Sequence, residues 1–361
     1  MAREDSRKRT RASPGKGLGW VWEATGAPPR KGAAVEMKTL RIATRGSALA
    51  LAQARTVAAL CRELFPELKS ALRVFKTTGD KLQTADPTQA GGTLPKGLFT
   101  KELEVALLSG DADIAVHSLK DLPTDLPDRL ILGAVLKRAD ARDVLVMREE
   151  SIQGNPAVRP ACVADRLRQG ATVATSSPRR QAQMLSRRAD LKLVEIRGNV
   201  GTRLRKLADL THLDGTLLAA AGLQRLGFVI GSDARLSGED VPGGLKAFEL
   251  EFEEMLPCVG QAAIGIEIRA GDAFASEICA RLDDSDTHQC VAAERAFLKG
   301  MGGGCQSPVA AIGTFQCGHL ELRGVSYHGG SFRQGLVRVG TNGAAEAGTL
   351  LARELSSGFG G

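Results

Sequence analysis

A chain of 361 residues can form two or three domains, each burying a hydrophobic core of its own. Its 43% hydrophobic and 25% charged residues are typical of globular proteins and exclude a disordered or fibrous chain. The formal net charge of +7 suggests an acidic partner only if the charge is spread over the whole chain.

The positive charge is instead concentrated near the amino terminus. Residues 1–36 carry eight Lys or Arg and four Asp or Glu, a contribution of +4, which leaves +3 for the rest. We predict that this segment is a disordered basic leader. It is either an upstream extension or an organelle transit peptide, and the acidic residues Glu4, Asp5 and Glu23 favour the extension.

The body of the chain is nearly balanced in charge, and its aromatic content is low. It has one tyrosine, Tyr327, and no tryptophan, so we expect no nucleic-acid partner; binding through the leader is the alternative. No apolar run approaches the length of a membrane-spanning helix. We therefore expect no membrane partner.

The seven cysteines lie at irregular spacings that match neither a disulfide framework nor a paired zinc motif. A reducing compartment fits this pattern, and we expect a cytoplasmic protein. The five histidines lack ligand spacing and predict no metal site. We expect His117 to be a packed or capping residue rather than a catalytic base.

Short strands alternate with helices from residue 37 onward, which is typical of an α/β domain with a mostly parallel sheet. The polar stretch 79–97 is long for a connection and is predicted to be a lid or mobile segment. The predicted elements in chain order are a strand at 40–43, a helix capped by Ser47, a strand at 74–77, a helix at 99–108 and a strand at 113–116.

A second α/β unit follows residues 138–143, and the pattern of predicted elements changes near residue 284. The elements predicted for the second unit are a strand at 171–174, a helix at 179–188, a strand at 193–196, a helix at 202–210 and a strand at 215–219. Those predicted beyond it are a helix at 290–298 and alternating runs at 309–315, 320–325 and 335–339. The alternating runs indicate antiparallel strands in a small α+β domain.

Four loops that follow predicted strands carry basic or hydroxyl side chains at the edge where α/β sheets bind ligands. They are Thr44-Arg45-Gly46-Ser47, His117-Ser118-Leu119-Lys120-Asp121, Thr175-Ser176-Ser177-Pro178-Arg179-Arg180 and Arg197-Gly198-Asn199-Val200-Gly201-Thr202-Arg203.

The third of these loops predicts an anion site. Ser177 as a cap and Pro178 in the first turn leave backbone N–H groups at the positive end of a helix, beside two arginines. Because a guanidinium pairs with a carboxylate through two hydrogen bonds, several of them facing one cleft favour a polycarboxylate ligand. Solvated surface arginines or ordinary helix caps are the alternative.

Two further residues stand out chemically. Asp121 should stay ionised among cations, so it can stabilise a developing positive charge or accept hydrogen bonds from ring N–H groups; a structural salt bridge to Lys120 is the alternative. Cys305 lies in Met301-Gly302-Gly303-Gly304-Cys305-Gln306-Ser307-Pro308, which is too rich in glycine for a helix or strand interior. We expect the thiol of Cys305 to be accessible; the alternative is a small core residue, as most intracellular cysteines are.

Several of these segments together closely resemble the porphobilinogen deaminase family. The stretches that carry the resemblance are Arg41-Ile42-Ala43-Thr44-Arg45-Gly46-Ser47, Lys96-Gly97-Leu98-Phe99-Thr100-Lys101-Glu102-Leu103, Ala115-Val116-His117-Ser118-Leu119-Lys120-Asp121-Leu122-Pro123, Arg197-Gly198-Asn199-Val200-Gly201-Thr202-Arg203-Leu204 and Gly303-Gly304-Cys305. They occur in the same order as in the family, from about residue 40 to about residue 313.

The resemblance implies an α/β fold with two domains like those of periplasmic binding proteins and transferrins, plus a small C-terminal α+β domain. The implied boundaries are 37–141 with 263–283 for the first domain, 142–262 for the second and 284–361 for the third. It also implies an enzyme, a transferase of tetrapyrrole and haem biosynthesis, that works as a monomer.

The implied reaction joins four porphobilinogen units, with loss of ammonia each time, to a covalent dipyrromethane cofactor. Hydrolysis then releases hydroxymethylbilane. Asp121 is the implied catalytic carboxylate, near the pyrrole nitrogens. The residues implied to hold the cofactor are Cys305, through a thioether, and Lys120, Asp121, Ser177, Arg179 and Arg180. Those implied to bind substrate are Arg45, Ser47, Lys96, Arg197, Arg203, Arg225 and Gln261.

The sequence departs from the family pattern at three positions. Ala262 stands where the family usually has glycine, and its methyl group would narrow a hinge if the position needs a positive φ. Pro178 replaces a common leucine, which is harmless in a first helical turn, and Ala174 replaces a common glycine. A non-catalytic, two-lobed polycarboxylate-binding protein is the alternative function.

Overall fold

The structure is a computed structural model that describes residues 39–79, 97–154, 160–304, 307–340 and 342–356. The predicted leader, most of the predicted lid at 79–97, and the site residues Lys96 and Cys305 lie outside the described residues.

The first sheet has five strands in the order β2–β1–β3–β12–β4. These strands are β1 (Leu40–Arg45), β2 (Ser70–Phe75), β3 (Ile114–Ser118), β4 (Leu130–Val135) and β12 (Ile264–Arg269). Helices α1 (Ala48–Leu64) and α6 (Ala273–Leu282) contribute to a core on one side of the sheet, and α2 (Lys101–Leu108) packs in a second core. Four strands point the same way, and β12 is antiparallel to both of its neighbours.

The second sheet repeats this plan in the order β11–β5–β8–β6–β7. Its strands are β5 (Asp143–Arg148), β6 (Thr172–Ala174), β7 (Lys192–Val194), β8 (Gly215–Ala219) and β11 (Leu245–Leu250). Its helices are α3 (Pro178–Arg187), α4 (Val200–Asp209) and α5 (Ala220–Arg225), and a small hairpin is formed by β9 (Val229–Ile230) and β10 (Leu236–Ser237). In this sheet β5 is antiparallel to both of its neighbours, β8 and β11.

The chain crosses between the two sheets twice, and each crossing leads into an antiparallel strand. The outgoing segment after β4 enters β5, and the returning segment after β11 enters β12. The two segments are hydrogen bonded to each other: Leu136 N donates to Ile264 O at 3.0 Å, and Arg138 Nε donates to Gln261 O at 2.8 Å. The crossing is therefore a pair of adjacent segments rather than a single loop.

Ala262 lies in this crossing with φ +68°, in the left-handed backbone region, so the position does have the positive φ that favours glycine. Its side chain is 7% exposed in an apolar cluster with residues such as Leu256 and Ile312. Its carbonyl oxygen accepts a hydrogen bond from Ala139 N at 3.4 Å. The methyl group is thus packed at a position whose backbone conformation favours glycine.

The C-terminal part is a three-stranded antiparallel sheet covered by two helices. It consists of α7 (Ser285–Gly300), β13 (Val309–Gln316), β14 (His319–Ser326), β15 (Arg333–Gly340) and α8 (Ala344–Ser356). The fully buried Glu294 of α7 connects it to the crossing, because its carboxylate pairs with Arg138 and accepts from Gly260 N and Gly313 N, each at 2.8 Å.

The structure corrects the predicted elements in two respects. The second strand lies at Ser70–Phe75 instead of 74–77, because β2 pairs with the whole of β1 from Leu40 onward. The sheets are mixed rather than mostly parallel, since half of their strand pairings involve β5 or β12 and are antiparallel. The predicted antiparallel strands of the C-terminal part are confirmed.

Candidate active site

A single turn of 3-10 helix, Leu119–Asp121, follows β3 and presents Lys120 and Asp121 at the end of the strand. Gly260 packs against this turn with φ +71°, and a Cβ at that position would lie 3.2 Å from both Leu119 C and Lys120 N. A glycine is therefore needed for the returning segment to approach the turn. Two cavities border the turn, and both are lined by Lys120 and Asp121.

The first, which we call the Arg45 cavity, belongs to the first sheet. Its lining residues are Arg45, Ser47, Leu49, Ala50, Gln53, Phe99, Thr100, Val116, His117, Ser118, Lys120 and Asp121. The guanidinium carbon of Arg45 lies 4.2 Å from the centre of the Phe99 ring, a cation–π contact. Ser47 caps α1 by accepting from Ala50 N at 3.3 Å, as the sequence predicts.

Two buried side chains give the Arg45 cavity further polar character. Gln53 is 1% exposed; its Oε1 accepts from Ser118, and its Nε2 has no hydrogen-bond partner among the described residues. His117 Nε2 lies 3.0 Å from Glu267 Oε2, and both side chains are buried. His117 is thus packed, as expected, although it also lines the cavity.

The second, which we call the Arg179 cavity, has a volume of about 160 Å³ and lies where both sheets and the C-terminal part meet. Its lining residues are Lys120, Asp121, Ser177, Arg179, Arg180, Cys258, Val259, Gln261, Leu298, Gly304, Ser307 and Val309. Ser177 caps α3 by accepting from Arg180 N, with Pro178 in the first turn. Cys305 is outside the described residues, but Gly304 and Ser307, which flank it in sequence, both line this cavity.

Arg179 and Arg180 share one buried carboxylate, that of Asp143 on β5. Arg179 Nη1 lies 2.7 Å from Asp143 Oδ2, and Arg180 Nη2 lies 2.7 Å from Oδ1. Burial alone would raise the pKa of Asp143, but the two guanidiniums outweigh burial and lower this pKa to about 2. The three side chains together therefore keep one net positive charge, and Arg179 Nε is buried without a hydrogen-bond partner among the described residues.

Arg203 and Arg225 are arginines for which the described residues provide no ion pair. Burial, followed by the nearby charge of Arg180, lowers the pKa of Arg203 to about 10, although Asp121 acts in the opposite direction. Burial lowers the pKa of Arg225 to about 10, and its Nη2 donates to Ala262 O at 2.5 Å. Because such cations have lost part of their hydration, an anion that binds beside them stabilises them.

The remaining predicted site residues differ in their surroundings. Gln261 is fully buried, and its Nε2 donates to Ala141 O at 2.7 Å and to Asp143 Oδ1 at 3.1 Å. Arg197 is 3.4 Å from Glu195 at a more exposed position. Arg197, Arg203 and Arg225 lie outside the linings of both cavities.

Sequence reasoning missed Asp143, Gln53 and Cys258 as residues of the site. The sequence pattern places Asp143 only at a domain boundary, and the residue is 36 positions away from Arg179, so no local pattern links the two. Gln53 lies less than two turns along α1 from the Ser47 cap, so helical spacing from Ser47 offered a weak signal. No feature of the sequence marks Cys258 as a residue of the site.

The fold places two mixed α/β sheets and a small antiparallel sheet around two cavities that basic side chains line. Residues 40–277 match the family model "Porphobilinogen deaminase, dipyromethane cofactor binding domain", and residues 288–357 match "Porphobilinogen deaminase, C-terminal domain". The chain belongs to the porphobilinogen deaminase family.

Similar proteins agree with these matches. The porphobilinogen deaminase of Syntrophomonas wolfei is 42% identical over 321 residues, which cover 88% of this chain and 95% of that protein. The porphobilinogen deaminase of Xanthomonas oryzae is 42% identical over 325 residues, which cover 90% of this chain and 96% of that protein. The family, the enzyme class and the dipyrromethane cofactor are confirmed by these matches, and a non-catalytic binding protein is not favoured. The predicted α/β class with a C-terminal α+β part is confirmed by the sheets of the structure.

Among solved structures, the periplasmic aliphatic sulphonate binding protein SsuA from Escherichia coli matches 72% of this chain and 67% of its own, at 14% identity and a TM-score of 0.35. The described residues also bear on membrane and metal binding. Across these ranges, no helix is long and apolar enough to cross a membrane. Within the same ranges, no cluster of three or more His, Cys, Asp or Glu residues could hold a metal ion.

Proposed function

We propose that this chain condenses four porphobilinogen units, with loss of ammonia each time, onto a covalently bound dipyrromethane, and then releases hydroxymethylbilane by hydrolysis. The observation that carries the proposal is the Lys120–Asp121 turn, which borders both cavities. One cavity contains Arg45 and Ser47, and the other is lined by the two neighbours of the Cys305-Gln306 dipeptide. A catalytic carboxylate between a substrate site and a primer site is what stepwise elongation requires.

The Arg179 cavity fits the cofactor chemically. Arg179 lines it, and its buried Nε has no hydrogen-bond partner among the described residues, so this guanidinium has a donor left for a carboxylate; Lys120, Ser177 and Arg180 line the same cavity. These four residues would hold the acidic side chains of the cofactor, with Cys305 as the attachment point. When bound, dipyrromethane supplies the pyrrole carbon to which the first substrate unit is joined.

The chain's own residues bind, orient and stabilise the substrate. Arg45 and Ser47 hold its carboxylates in the Arg45 cavity, and Arg203 and Arg225 supply desolvated positive charge. Asp121 accepts a hydrogen bond from the pyrrole N–H and stabilises the positive charge that develops on the substrate as ammonia leaves. The other members of the proposed substrate-binding set are Arg197, Gln261 and Lys96.

The intact mass of the purified protein tests this function. We expect the mass to exceed that of the chain by one dipyrromethane unit, and Cys305→Ser to lack the increment. Asp121→Asn that carries the primer should lose turnover. An unmodified wild-type mass from cells that supply porphobilinogen, or near-normal turnover of Asp121→Asn, would contradict the proposal.

The domain division 37–141 with 263–283, 142–262 and 284–361 is part of the proposal. It is supported by the position of β12 in the first sheet and of β5, β6, β7, β8 and β11 in the second. The protein is further proposed to act as a cytoplasmic monomer on a small molecule, without a nucleic-acid partner. Sedimentation equilibrium should give the mass of one chain, and deletion of residues 1–36 should leave turnover unchanged.

A further inference from the structure

One cysteine in the Arg179 cavity has no role in the proposed reaction. Cys258 is a free, half-buried thiol that lines the cavity with Lys120 and Arg179. Its Sγ donates a hydrogen bond to Oε1 of the fully buried Gln261, at 3.4 Å. The thiol is therefore held at the cavity wall by a fixed polar partner.

The surroundings of Cys258 are positively charged. Lys120, Arg179 and Arg180 line the cavity with one carboxylate, Asp121, and the buried Asp143 behind the two arginines leaves that pair with one net positive charge. Arg179 is 3% exposed, and its Nε has no hydrogen-bond partner among the described residues. Cys258 and Arg179 line the same cavity of about 160 Å³. A free thiol and a guanidinium that is not fully hydrogen bonded among the described residues thus line one small cavity.

We propose that Cys258 is a modification site for anionic alkylating agents, small electrophiles that also carry a carboxylate. The cavity cations bind the carboxylate and hold the electrophilic carbon near Sγ. With iodoacetate, an S–C bond forms, the C–I bond breaks, iodide leaves and the thiol proton passes to water. The inference rests on the proposed function only in that the primer occupies the same cavity and shields the thiol.

Iodoacetate and iodoacetamide form a matched pair of probes that differ in charge. The full chain carrying Cys305→Ala removes the thiol at 305 and prevents priming, and peptide mass analysis then gives the alkylation rate at each cysteine. Because both reagents attack the same thiolate, the ratio of the two rates at one cysteine does not depend on its degree of ionisation. The exposed Cys317 provides an internal reference.

We expect the ratio of iodoacetate to iodoacetamide rates to be at least about tenfold higher at Cys258 than at Cys317. High salt should reduce this difference, since it screens the cavity charge. Lys120→Gln should reduce it too, and Cys258→Ala should abolish labelling of that peptide. Equal ratios at the two cysteines, or no labelling of Cys258 by either reagent, would overturn the proposal.

Shielding by the primer gives an independent readout. Wild-type protein that shows the dipyrromethane mass increment should be alkylated at Cys258 at least about tenfold more slowly than the unprimed Cys305→Ala chain. Equal rates in the presence of the increment would count against the position assigned to Cys258 alone. Absence of the increment itself would count against the proposed function.

Discussion

Gln261 Nε2 lies 3.1 Å from Oδ1 of Asp143, where the returning segment of the crossing meets the first strand of the second sheet. The same carboxylate pairs with Arg179 and Arg180, so one buried anion fixes both the wall of the Arg179 cavity and the crossing beside it. Removal of that anion should therefore disturb both.

Asp143→Asn should destabilise the fold strongly, by about 3–5 kcal/mol, because it leaves two buried guanidiniums without a counter-charge. The measurement is the free energy of unfolding in urea. Asp125→Asn is the matched control, since Asp125 pairs with Lys299 at an exposed site and its loss should cost less than about 1 kcal/mol. Similar losses for both variants would contradict the assigned role of Asp143.

Stability should also fall in acid because of Asp143. Its pKa is lowered to about 2 in the folded protein, against about 3.9 in an unfolded chain. Since the folded pKa is the lower one, the stabilisation of about 2–3 kcal/mol is present above a pH of about 4 and is lost as the pH falls through about 2. The difference in unfolding free energy between wild type and Asp143→Asn should therefore shrink as the pH is lowered across this range, and a constant difference would contradict the lowered pKa.

Arg203→Gln should lower kcat/KM for porphobilinogen by about 10- to 150-fold, the value of a charged hydrogen bond to a substrate carboxylate. Arg203 is a desolvated cation without an ion-pair partner in the described ranges, so its loss should leave the fold intact. Arg205→Gln, on the exposed face of the same helix α4, is the control and should behave like wild type. Equal kinetics of the two variants would remove Arg203 from the substrate site.

Ala262 should tolerate glycine but not a β-branched residue. A left-handed alanine costs about 1–2 kcal/mol, which offsets the extra chain entropy and lost packing of Ala262→Gly, so its stability should stay within about 1 kcal/mol of wild type. Ala262→Val adds strain and overpacks the cluster around Leu256, so it should lose more than about 2 kcal/mol. Thermal unfolding of the three proteins is the measurement, and equal stabilities would contradict the left-handed assignment.

Local patterns predicted the parts of the fold that depend on local chemistry. The Ser47 and Ser177 caps lie where the sequence places them, since a cap needs only a hydroxyl and the following N–H groups. The alternating C-terminal runs pair as consecutive antiparallel strands, because the pattern that marks each strand and the pairing of neighbouring strands are both local in the chain. Motif resemblance supplied the family, which periodicity alone does not define.

Features that depend on distant residues escaped the local patterns. The antiparallel strand β12 pairs with β3 about 150 positions earlier in the chain, as the contact of Glu267 with His117 shows. The pairing of Arg179 and Arg180 with Asp143 is also between residues distant in sequence. The sequence therefore predicts ligand carboxylates as partners of both arginines and does not predict this buried carboxylate. Buried countercharges are set by tertiary packing, and only coordinates locate them.

The adjacent outgoing and returning segments have a mechanical consequence. We expect the pair to resist twisting more than bending, because twisting would stretch the backbone bond from Leu136 to Ile264 and the bond from the Arg138 side chain to Gln261 O. If the two sheets rotate relative to each other, such a connection would favour one direction of movement and would bring the same side chains of the two sheets back together.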